Sequence, residues 1–159
     1  MTIAKYPANF DGDTPLQDVL TWRLHIVHAK LNVHAARFLE GISGIPLAYW
    51  RVMLAIGPEG STTHSAIRRI IMMDKGQLSR CLKAMIEDGL VEARNDETDQ
   101  RQQQLSLTRK GRRVFRKTLP EMRLRQNYLV GQLSKTERKS IFSALGKLES
   151  AAESFEFGP

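Results

Sequence analysis

Lys75, Gly76, Gln77, Ser79, Arg80 and Lys83 bring together, within nine positions, the residue types that hydrogen-bond phosphates and the edges of bases. Glutamine pairs bidentately with adenine, arginine with guanine, and serine with either. These residues surround an apolar series, Leu78, Cys81, Leu82 and Met85, whose i, i+3, i+4, i+7 spacing defines one buried stripe of an amphipathic helix. The polar set then occupies the rest of that helix. Gly76 carries no side chain and lets the helix start approach a partner closely, while the unpaired amides of the first turn favour an anion there.

Other groupings suggest different chemistry and are less complete. His25 and His28 stand at i, i+3 on one face of a first helix, the spacing of a metal site, but His34 falls on another face and no cysteine or nearby carboxylate completes a ligand set. The one cysteine, Cys81, lies on the buried stripe and reads as structural, since a redox-sensing thiol is exposed and close to cations. No Gly-rich phosphate loop, nucleophile elbow or paired-carboxylate arrangement is present. The sequence therefore predicts no enzyme, no metal and no cofactor. The alternatives are a protein-interaction module and a metal-dependent hydrolase built on the N-terminal histidines.

The 159 residues suit one domain with extensions, and 42% hydrophobic content is enough for an ordinary core. No apolar run approaches the ~20 residues of a membrane span, and the first residues lack a signal-type apolar core. A cytoplasmic protein without membrane association is expected, and a single cysteine fits a reducing compartment. The net charge of +7 is concentrated. Residues 61–117 hold 13 Lys/Arg against 7 Asp/Glu, and the remainder 11 against 10. Such a basic segment attracts polyanions by releasing their condensed counterions.

The elements that must position these residues are legible from periodicity and caps. After a polar arm at 1–14, apolar residues recur at helical steps from Leu16 to Ile42, and Gly44 and Pro46 break the chain. A second helix spans 47–56. Ser61, Thr62 and Thr63 offer hydroxyl caps for a third, about 63–70, and Asp74 caps the fourth, which ends near Asp88 with Gly89 beyond it. Residues 90–94 and 103–107 read as two strands around a turn at 95–99. Thr108 starts a basic helix to about 132, bent near Pro120, and Ser134 with Glu137 forms a capping box for a last helix at 135–155.

Within this order, Met73-Asp74-Lys75-Gly76-Gln77-Leu78-Ser79-Arg80 resembles the M-D-K-x-x-(V/L)-S-R of the recognition helix in the multiple antibiotic resistance regulator (MarR) family. Gly89-Leu90-Val91 matches that family's next element. Asp96, Asp99, Arg101, Leu105, Leu107, Thr108 and Gly111 keep the register of its hairpin, and Trp50-Arg51-Val52 is similar to its second helix. Two positions depart from the pattern: Arg68 where the family has a small residue, and Gln100 where it often has arginine.

The resemblance implies a mainly α fold with a small two- or three-stranded β wing, a winged helix-turn-helix lobe at 47–119, and dimerisation helices at 15–46 and 120–159. It implies a homodimer that binds a pseudo-palindromic double-stranded DNA operator and represses transcription until a small aromatic or phenolic effector releases it. The DNA-facing set would be Ser61, Thr62, Thr63, Lys75, Gly76, Gln77, Ser79, Arg80, Lys83, Arg94, Asp99, Arg101 and Gln102, with Asp99 orienting Arg101 in the minor groove. Trp22, His25, His28, Trp50 and Arg51 would line the effector site, although core packing is the simpler role for each tryptophan.

Overall fold

The computed structural model describes residues 14–95 and 103–154. The chain divides into two compact units, residues 1–118 and 119–159.

In the first unit, α1 (Leu20–Ser43) follows a 3-10 turn at Leu16–Asp18. The helix expected from Leu16 therefore starts four residues later, because Val19 adopts an extended conformation (ψ 119°). At its other end Gly44 takes a left-handed conformation (φ 67°), and its N–H donates to the carbonyls of Leu39 and Glu40. Next come α2 (Leu47–Ile56), β1 (Ser61–Thr63), α3 (His64–Ile71), α4 (Lys75–Glu87), β2 (Val91–Asn95), β3 (Gln103–Leu107) and α5 (Arg109–Gly131). The fold is mainly helical with one small antiparallel sheet, as the sequence predicts.

The sheet has the order β1-β3-β2. Ser61, Thr62 and Thr63 were expected as caps and DNA-facing residues rather than as a strand; they pair with Ser106, Leu105 and Gln104. This third strand brings the start of α3 against the hairpin. β3 is central, and it alternates in burial as a one-sided strand must: Leu105 and Leu107 face the core and Ser106 is half-buried. Leu39, Trp50, Val52, Met53, Ile56, Ile67, Leu78, Leu82, Met85, Val91 and Phe115 complete that core.

Caps define the joints. Thr63 Oγ1 accepts the N–H of Ala66, and Asp74 Oδ1 accepts the N–H groups of Gly76 and Gln77 at 2.9 and 3.1 Å. Gly89, at φ 66°, turns the chain from α4 into β2. Thr108 Oγ1 donates to the Gly89 carbonyl at 2.6 Å and accepts the Gly111 N–H at 3.0 Å, fixing the start of α5 to the root of the hairpin.

α5 is helical on both sides of Pro120. In the second unit, α6 (Lys135–Ser154) opens with the expected capping box. Ser134 N–H donates to Glu137 Oε2 at 2.8 Å, and Glu137 N–H donates to Ser134 Oγ at 3.2 Å. Among the described residues of this unit, 119–154, none is buried. Phe142 is 72% exposed, and Leu124, Tyr128 and Ile141 are exposed as well.

Candidate nucleic-acid interface

Two sets of residues on α4 do separate work. Leu78, Leu82 and Met85 are buried, whereas Lys75, Gln77, Ser79, Arg80 and Lys83 are exposed. Cys81 was expected in the buried stripe but is only half-buried, at its margin, with its thiol 3.9 Å from Met85 Sδ. Burial pushes that thiol's pKa up, the opposite of thiolate activation.

Three contacts hold the helix in place. Asp74 caps its start. Tyr49 OH of α2 donates to Asp88 Oδ2 at its end, and Lys110 Nζ donates to the Asp88 carbonyl at 2.7 Å. Gly76 has a role in the cap beyond giving access, because a Cβ there would lie 3.2 Å from Asp74 Oδ1.

The amides of Gln77 and Gly76 also hold the Asp74 carboxyl below its ordinary pKa. A depressed native pKa contributes stability above the unfolded value and loses it as pH falls through the native one. Asp74→Ala is therefore expected to lower the thermal midpoint at pH 7. The difference from the parent protein should narrow as pH falls below the ordinary aspartate value of ~3.9 and through the lower native one. Thermal denaturation of both proteins across that range checks it; a constant difference would contradict the assignment.

Around α4 the remaining DNA-facing candidates gather on two elements. Ser61 is exposed on β1, Thr62 is half-buried beside it, and Thr63 is engaged as the α3 cap. Arg94 is exposed on β2, with its guanidinium 3.3 Å from Glu92 Oε2. Lys83 pairs loosely with Glu87 at 3.9 Å, and both are exposed, an arrangement worth little in water. Asp99, Arg101 and Gln102, together with Asp96 and Gln100, lie outside the described residues. In the basic run at the start of α5, half-buried Arg112 donates to the Leu107 carbonyl and exposed Arg116 pairs with exposed Glu59, while Arg109, Arg113 and Lys117 are exposed as well.

Of the residues expected to line an effector site, Trp50 stands apart, while Trp22 meets His25 and Arg51 is linked to His28 through Asn32. Trp50 is buried at 3% exposure and stacks on Phe115, with ring centroids 5.3 Å apart. It is part of the core. Trp22 is 39% exposed on α1, its ring 5.5 Å from that of His25, so it has no core role within the chain. Half-buried Arg51 meets an amide rather than an acid: it donates to Asn32 Oδ1 at 2.6 Å, and Asn32 Nδ2 lies 3.2 Å from His28 Nε2. Among the described residues, no three His, Cys, Asp or Glu side chains are placed to share a metal ion, and no helix is long and apolar enough to cross a membrane.

Sequence reasoning missed His64. Its ring reaches from the first residue of α3 to Ser79 of α4, 3.2 Å from the hydroxyl. Both border a groove of about 670 Å³ between α3, α4 and β3, with Leu82, Ile86 and Leu105 along its wall. The partner lies fifteen positions away in sequence, so only the folded helix pair reveals it.

A model of the MarR family matches residues 43–102, the stretch from the end of α1 to the residue before β3. The HTH-type transcriptional regulator BilQ of Clostridium symbiosum is 27% identical over 110 residues, covering 69% of this chain and 76% of that protein. Among solved structures, a MarR/EmrR family transcriptional regulator from Acinetobacter sp. ADP1 superposes with a TM-score of 0.78 at 21% identity, covering 85% of this chain and 95% of that one. Sco3205, a MarR family transcriptional regulator from Streptomyces coelicolor solved in complex with DNA, superposes with a TM-score of 0.74 at 22% identity, covering 86% and 91%.

Proposed function

We propose that this chain is a winged-helix protein of the MarR family and that it acts as a transcription regulator, rather than an enzyme, by seating α4 in the major groove of double-stranded DNA. One observation carries this reading. The exposed face of α4 presents Lys75, Gln77, Ser79, Arg80 and Lys83 on a helix fixed from behind by Leu78, Leu82 and Met85. The hairpin after α4 would supply Arg94 and, at its tip, Arg101 oriented by Asp99, since an arginine inserted into a narrow minor groove is favoured by its enhanced negative potential.

Two copies are part of the proposal, because paired recognition helices meet half-sites about 34 Å apart. Two features support a second copy. Leu20, Leu24, Val27 and Leu31 repeat on α1 at steps of four, three and four residues, and all are more than a third exposed. Residues 119–154 bury no side chain of their own. Apolar surface of that kind is stabilised when a partner covers it. The division of labour is accordingly 47–119 for DNA and 15–46 with 120–159 for dimerisation. Repression released by a small aromatic effector belongs to the same proposal. Trp22, His25, His28 and Arg51 remain available to that effector, and buried Trp50 does not.

Recovery of genomic fragments by the purified protein tests the function. Enrichment of discrete sites, lost steeply as salt rises, is the expected result; salt-insensitive or absent binding would refute it. Gln77→Ala supplies the finer check. It should relax preference at one position of the site, where a bidentate pair discriminates by about 1–3 kcal/mol, and leave affinity for random DNA nearly unchanged. Competition between selected and random duplexes reads both, and an unaltered base preference would remove Gln77 from the contact set.

A further inference from the structure

We propose that His64 is a DNA-backbone contact whose imidazole takes up a proton when the duplex binds. This inference rests on the DNA-binding reading above and adds to it a residue and a proton.

The hydrogen-bond arrangement at Ser79 supports it. The Ser79 hydroxyl lies 2.9 Å from the Lys75 carbonyl oxygen, which can only accept, so the hydroxyl's single hydrogen is directed there. The contact with His64 Nε2, at 3.2 Å, then takes its hydrogen from the ring. Nε2 carries a proton in the neutral and the cationic imidazole alike, and the anchor to α4 persists in both. Nδ1 is the atom whose protonation changes, and it becomes a second donor without disturbing the anchor.

The surroundings fit an anion. His64 is half-buried at the mouth of the groove that separates α4 from the sheet. A duplex that places one groove on α4 and the next on the hairpin must carry a sugar-phosphate strand across that gap. Thr63, Ser65, Ser79, Lys83 and Gln103 border it with hydrogen-bonding groups. The charged groups bordering it are Lys83 and Glu87 on α4, 3.9 Å apart; Arg68 follows His64 by one turn of α3, and β1 and β3 contribute Thr63 and Gln103, which do not titrate. On α2, which also packs against α3, Tyr49 is bonded to Asp88 and Arg51 to Asn32. Histidine is the side chain that changes charge between about pH 5 and 8, and a phosphate beside it favours the charged form.

The test uses a duplex selected by the parent protein from a random-sequence pool, with anisotropy titrations at constant ionic strength from about pH 6 to about pH 8. One linked proton changes affinity by at most about tenfold per pH unit, so the parent protein should bind several-fold more tightly at the acid end. His64→Gln, which retains an N–H for Ser79, should match the parent near pH 8 and lose most of the dependence. A flat profile for the parent, or an unchanged slope in His64→Gln, would overturn the proposal. The latter result would transfer the effect to His25, His28 or His34 on α1. Calorimetry of the parent protein in buffers of different ionisation enthalpy measures proton uptake directly, and zero uptake overturns the proposal even if the variant fails to fold. Absence of binding by the parent at every pH would instead refute the DNA-binding reading.

Discussion

Gly111→Ala is expected to destabilise the protein by about 3 kcal/mol, at the upper end of what overpacking costs. In an isolated helix the same change is stabilising by up to about 1 kcal/mol, so the sign itself is diagnostic. A Cβ at position 111 would lie 2.0 Å from the Leu90 carbonyl oxygen, 3.0 Å from its carbon and 3.4 Å from Leu107 Cβ. The first two are backbone atoms that no rotamer change can move. The Leu90 carbonyl also accepts the N–H of Thr108 at 3.1 Å, so displacing it disturbs the joint between hairpin and α5. Denaturant titration at fixed protein concentration, as an oligomer requires, provides the measurement. Equal or greater stability in the variant would show that α5 does not meet the hairpin root this closely.

Arg80→Ala should weaken binding to a selected duplex by roughly ten- to a hundredfold, corresponding to the 1–3 kcal/mol of a bidentate arginine–guanine pair. The side chain is exposed and surrounds no core residue, so its loss should leave stability within about 0.5 kcal/mol, as for surface substitutions generally. Lys83→Ala provides the contrast. A lysine meeting a phosphate contributes to every sequence alike, and its removal should reduce the salt dependence while sparing base preference. Anisotropy titrations against selected and random duplexes separate the two patterns. An Arg80→Ala variant that binds both duplexes like the parent would exclude α4 as the reading element.

Local rules carried much of the fold. The limits of α2, the Asp74 cap, Gly89 beyond α4 and the Ser134–Glu137 box each depend on residues within a few positions of one another. Nonlocal facts were the ones that escaped. Ser61–Thr63 is a strand only because Ser106, Leu105 and Gln104 lie alongside it. Trp50 is committed to the core by Phe115, sixty-five positions later. Arg51 is held by Asn32, nineteen positions earlier, and His64 acquires significance only from Ser79. The delayed start of α1 is a smaller case: one extended residue, Val19, interrupts a helix without altering the apolar periodicity around it. The exposed face of α4 was legible because a single helix period separates its inner and outer residues.

That separation has an evolutionary corollary. Since the side chains that anchor α4 differ from those it displays, target preference can drift by substitution at positions 75, 77, 79, 80 and 83 without reopening the question of whether the protein folds. Duplicated genes of this design would be free to diverge toward new operators one exchange at a time, and a protein engineer could retarget the scaffold along the same route.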